Sequence, residues 1–107
     1  IKFEKSYIDA YLLLAGIQVA GREYNEALKV YEAALKGKPN DPNALLYYGT
    51  TLAEIKRYKK ALKTLVKLTN LQEVEYSELD RALAYYYLAK VQYKTKKSKT
   101  VFYKWTL

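Results

Sequence analysis

The chain has 107 residues, half of them apolar, with 19 Lys/Arg against 11 Asp/Glu and a net charge of +8. That length suits one domain with an ordinary core, and a composition rich in Ala, Leu, Lys, Glu and Tyr, with 4 Gly and 2 Pro, favours an all-α fold over a many-turned sheet. The absence of Cys and His removes thiol nucleophiles, disulfides, imidazole bases and the commonest zinc ligands, so no cofactor, no metal and no catalysis are expected.

The first helix is expected over residues 7–20. Its apolar stretch AYLLLAGIQVA, residues 10–20, falls short of the roughly 20 residues that span a bilayer and reads as a buried helix, with no membrane partner. IKFEKSYID ahead of it is mixed in charge and lacks the basic start of a secretory leader. A chain that begins at Ile1 and holds no Met reads as an excised piece of a longer one, and the absence of Cys leaves its compartment open. Ser6 with Asp9 reads as an N-cap with an acid three positions on. Gly21 stands where a helix C-terminus wants a left-handed residue.

A second helix is expected over 24–36, closed by Gly37 in the same manner. Asp41-Pro42 marks the next start, an N-cap followed by proline in the first turn, for a helix over 42–55. The fourth, 58–69, carries KRYKKALKTLVKL and with it the basic patch Lys56, Lys59, Lys60, Lys63 and Lys67, beside Arg57. Lys59, Lys63 and Lys67 recur at i, i+4 and i+8, a stripe opposite the apolar Ala61, Leu65 and Leu68. Such a stripe is either a solvated face or a field for an acidic partner or nucleic acid.

Ser77 with Asp80 is a second cap of the Ser6 type, opening a helix over 78–95, and a sixth is expected over 99–107. The last of these interleaves Lys99 and Lys104 with Phe102, Tyr103 and Trp105, after Lys94, Lys96 and Lys97. That mixture suits stacking of single-stranded RNA, or an end covered by further repeats or by self-association at Trp105. The charge is lopsided: residues 1–54 hold six Lys/Arg against seven Asp/Glu, and residues 55–107 thirteen against four. Glu23, Glu26, Glu73, Glu75 and Glu78 lie at helix starts or in a loop, where caps and helix dipoles account for them. No phosphate loop, nucleophile elbow or metal spacing is present.

EYNEALKVYEAAL, starting at Glu23, and RYKKALKTLVKLT, starting at Arg57, align at a 34-residue offset: Tyr24 with Tyr58, Ala27 with Ala61, Leu28 with Leu62. Upstream the same offset pairs Tyr11 with Leu45, Leu14 with Tyr48 and Ala15 with Gly49. A helix-turn-helix unit of this length cannot bury its apolar face alone and must stack on its neighbours. Small residues (Ala15, Gly49 and Ala89; Ala27 and Ala61) let paired helices approach closely.

In these residues the chain resembles the tetratricopeptide repeat proteins, whose unit carries a large apolar residue, then Leu and a small residue, and later a Tyr-x-x-Ala-Leu run. Repeat one, residues 8–41, matches at Tyr11, Leu14-Ala15, Tyr24, Ala27-Leu28, Tyr31, Ala34-Leu35 and Pro39. Repeat two, 42–75, matches at Leu45, Tyr48-Gly49, Leu52, Tyr58, Ala61-Leu62 and Leu65. An insertion at about 76–81 precedes an incomplete repeat three, 82–107, with Tyr85 and Leu88-Ala89. Gln18, Gln92, Glu73, Ser98 and Val101 depart from the family pattern. The resemblance implies a single domain, residues 1–107, built as a right-handed α-solenoid of about six helices.

The resemblance also implies a protein-binding scaffold whose concave face is lined by the first helix of each unit. That lining takes Asp9, Leu13 and Gly16 from the first unit, and Asn43, Tyr47, Thr50 and Glu54 from the second. The third adds Tyr86, Tyr87, Lys90, Tyr93 and Lys94, while Tyr85 aligns with core positions. Aromatic anchors beside flexible cations suit a protein or peptide segment, extended or helical and acidic toward Lys90. An RNA-associated adaptor using the basic C-terminal half is the alternative. The family's clamp for a terminal carboxylate would need Lys and Asn at Asp9 and Leu13, Asn at Tyr47, and Lys and Arg at Leu83 and Tyr87; none matches.

Overall fold

The structure, a computed structural model, describes residues 5–71 and 78–98. Five helices follow one another: α1 Lys5–Ala20, α2 Tyr24–Gly37, α3 Pro42–Glu54, α4 Tyr58–Thr69 and α5 Glu78–Ser98. Short connections fold α1 onto α2 and α3 onto α4 as antiparallel pairs, and successive pairs stack, with α5 against α4 and α3. The result is an α-solenoid of helix pairs. The expected sixth helix, Ser77, Glu73 and Trp105 fall outside the described residues, while positions 78–81 of the expected insertion form the start of α5.

Burial follows the pattern of each helix. In α2 the buried set Ala27, Leu28, Tyr31 and Ala34 forms one stripe, and in α4 the set Ala61, Thr64, Leu65 and Leu68 forms another. Helix α3 lies between neighbours and is buried nearly all round, from Ala44 to Ala53. One core runs from Ala15 through Tyr31, Leu52 and Leu65 to Val91, so the helix pairs share a continuous apolar interior. Truncating its fully buried Leu65 to Ala would cost about 2–5 kcal/mol.

The small residues act as expected at Ala15, Ala27 and Ala61, all fully buried. Gly49 is the tightest case: a Cβ there would lie 2.7 Å from the Leu65 side chain, so only glycine lets α3 approach α4 this closely. Ala89 is different. It is exposed on α5, where Ala84 is the buried small residue. Tyr85 also departs from its expected place in the core and is 50% exposed. Its counterpart Leu45 is covered because α3 has helices on both sides, whereas among the described residues α5 packs chiefly against α4 and α3.

The helix starts are partly as read. Asp41 caps α3, its carboxylate accepting from the Ala44 N–H at 3.0 Å with Pro42 in the first turn, a cap worth about 1 kcal/mol. α1 already runs at Lys5, so position 6 falls inside the helix rather than before it.

Neither Gly21 nor Gly37 is left-handed. The left-handed residues are Arg22, φ 62°, and Lys56, φ 66°, at equivalent places in the repeat. At both, backbone bonds close the turn in the same way. Arg22 and Glu23 donate to Val19 and Gln18, and Lys56 and Arg57 donate to Ala53 and Leu52. These paired bonds form a Schellman closure, which dictates the left-handed φ whatever side chain stands there.

Candidate functional site

Helices α1, α3 and α5 line one face of the solenoid. A hollow of about 570 Å³ opens between α1 and α3, and Asp9, Leu13, Gly16, Asn43 and Tyr47, all expected on the concave face, line it together. The α1 set recurs at i, i+4 and i+7 and the α3 pair at i and i+4, which keeps each on one side of its helix. Gly16 has nothing within 4 Å of a Cβ built on it, so the hollow stays open there.

The sequence reading missed part of this lining. Leu12, Ile17 and Ala20 extend the apolar wall on α1, and Tyr31 reaches the floor from α2. Ile17 stands one turn beyond Leu13, a spacing that would have revealed it. The two are 68% and 62% exposed, unusual for side chains of their size. Buried Tyr31 has its hydroxyl pKa pushed up by desolvation, against a weaker opposing pull from the Thr51 side chain.

The other part of the face joins α3 to α5. The Tyr87 hydroxyl donates to the Glu54 carboxylate at 2.9 Å, and Tyr86 meets Tyr87 edge to face with centroids 5.3 Å apart. Lys90 holds its ammonium 5.5 Å from the Tyr87 ring and 5.9 Å from Tyr86, a cation–π arrangement. Tyr93 and Lys94 continue exposed toward the end of α5. The Thr50 hydroxyl bonds back to the Tyr47 carbonyl at 3.1 Å, so its proton is spent within its own helix.

Three lysines of α4, Lys60, Lys63 and Lys67, lie away from the α1–α3 hollow, in the groove toward α2. Lys60 reaches Glu32 at 3.4 Å, and the Tyr48 hydroxyl donates to the same Glu32 carboxylate at 2.7 Å. Lys60 stands above the Tyr48 ring and is held protonated beyond its usual range, by the Tyr48 hydroxyl first and by Glu32 second. Arg57 adds a second bond across the same helices, to Asn25 at 3.3 Å. Lys60, Lys63 and Lys67 border a hollow of about 290 Å³ with Leu35, Pro39, Leu45, Tyr48 and Thr64. Lys59 does not border it, and Lys56 belongs to the left-handed turn.

Among the described residues no helix is long and apolar enough to cross a membrane, and no group of carboxylates could hold a metal ion. The sequence profile described as tetratricopeptide repeat matches residues 18–84. No curated protein and no solved structure matches the chain.

Proposed function

The chain belongs to the tetratricopeptide repeat family, a non-catalytic fold that mediates protein–protein interaction, and from that premise we propose a scaffold whose concave face receives an extended or helical segment of a protein partner. The observation that carries this reading is the exposed apolar wall of the α1–α3 hollow. Leu13 and Ile17 stand in solvent beside Tyr47, over a space large enough for apolar side chains of a ligand. Asp9 lies at its α1 end and Lys90 with Lys94 on α5, so the field along the face favours a segment that is acidic toward α5. The division into repeats 8–41, 42–75 and 82–107 belongs to the same reading.

The test is capture from native lysate, with and without nuclease, by the chain and by a Leu13→Ser, Tyr47→Ala variant. Both side chains are exposed, so the fold survives the change. A partner that resists nuclease and is lost with the variant supports the groove. Capture that is abolished by nuclease and indifferent to the variant overturns it and favours the RNA-associated alternative.

A further inference from the structure

Helix α4 carries Lys59, Lys60, Lys63 and Lys67 and no carboxylate at all between Tyr58 and Thr69. Glu32 takes Lys60, but among the described residues neither Lys63 nor Lys67 has a carboxylate within ion-pair reach. Lys60, Lys63 and Lys67 therefore form a ladder roughly 10 Å long along one edge of a helix. Leu35 and Pro39 supply an apolar wall across the hollow from them.

We propose that this outer groove between α2 and α4 is a second docking surface, taking an acidic amphipathic segment of a protein partner. Its carboxylates meet Lys63 and Lys67 while an apolar side chain enters the hollow between Leu35, Pro39 and Leu45. The charge is complementary to such a segment and to any polyanion, but the hollow selects between them. Nucleic-acid grooves without sequence preference rely on exposed aromatic platforms for stacking. Here the aromatic ring is Tyr48, which is buried and overlaid by Lys60, and no arginine fork borders the hollow to grip a phosphate. An apolar pocket beside ammonium groups suits a leucine flanked by Glu or Asp. This surface is separate from the concave face, and it stands whether or not that face binds.

The experiment is a fluorescence-anisotropy titration of the full chain with a labelled helical peptide rich in Glu and carrying one leucine pair, and in parallel with a labelled single-stranded oligonucleotide. Two charge-matched variants are compared: Lys63→Glu, Lys67→Glu at the groove, and Lys29→Glu, Lys59→Glu outside it. All four lysines are exposed, and circular dichroism checks that helicity is unchanged. The expected result is peptide binding that falls at least about tenfold in the groove variant and changes by no more than about twofold in the other. Equal losses in both variants, or no binding to the parent chain, overturn the proposal. Oligonucleotide binding tighter than the peptide's and equally dependent on Lys63 and Lys67 also overturns it and assigns the groove to nucleic acid.

Discussion

Tyr87 on α5 and Glu54, the last residue of α3, are joined by a 2.9 Å hydrogen bond across 33 positions of chain. A carboxylate at a helix C-terminus faces the negative end of the helix dipole, so a hydroxyl donor offsets an unfavourable placement. The same bond ties the third inner helix to the second.

Ionisation of Tyr87 should therefore come late. Burial first and the Glu54 carboxylate second push its pKa up to about 12, from an ordinary value near 10. Because the site disfavours the phenolate, the folded chain keeps this proton after the unfolded chain would release it. The stability gained is present in full below about pH 10 and lost as pH rises through about 12. NMR of tyrosine labelled at Cζ should show a midpoint for this ring near the upper figure, and Glu54→Gln should lower it. A midpoint unmoved by Glu54→Gln would show that the carboxylate plays no part.

Gly16 and Gly49, similar residues in similar helices, should respond oppositely to alanine. Gly16 has open space around it, so Gly16→Ala gains about 0.5–1 kcal/mol from helix propensity. Gly49→Ala drives a Cβ into the Cδ2 and Cγ atoms of a fully buried Leu65 side chain and should lose about 1–2 kcal/mol even after the same propensity gain. Chemical denaturation of both variants decides it, and a loss at Gly16 would mean that its surroundings are closed.

Gln18 carries a buried side-chain oxygen with no hydrogen-bond donor among the described residues. Its counterpart 34 positions on is Leu52, fully buried in the shared core. Gln18→Leu should raise stability by about 1 kcal/mol, because a buried polar atom is replaced by a methyl group of similar size. A fall in melting temperature would show that the oxygen is satisfied.

Arg22 and Lys56 share one left-handed conformation that costs an L side chain about 1 kcal/mol. Arg22→Gly and Lys56→Gly should each stabilise by up to about that amount, and the two gains should add because the turns share no hydrogen-bond partner. Thermal melts of the single and double variants measure this, and destabilisation by either glycine refutes it.

The helices were legible because the 3.6-residue pattern and the 34-residue offset agree at Tyr24 and Tyr58, and at Ala27 and Ala61. The turns were not. Gly21 attracted the left-handed assignment by residue type, whereas the bonds from Arg22 and Glu23 place that conformation one position later. Alignment with Leu45 points Tyr85 to the core, but alignment transfers a position in a helix and not the neighbours that cover it. At the candidate site, register alone brought Asp9, Leu13, Asn43 and Tyr47 to one hollow. It missed the contribution of Tyr31 from α2 and the pairing of Lys60 with Glu32, 28 positions away, because both depend on how helices of different pairs cross.

The Lys60–Glu32 and Arg57–Asn25 bonds link α2 to α4 on the outer side, as the Tyr87–Glu54 bond links α3 to α5 on the inner side. Mechanically they are the tie-rods of an arch whose intrados is the concave face. Lys60 and Glu32 are both about half exposed, so dissolved salt screens this tie and weakens the brace.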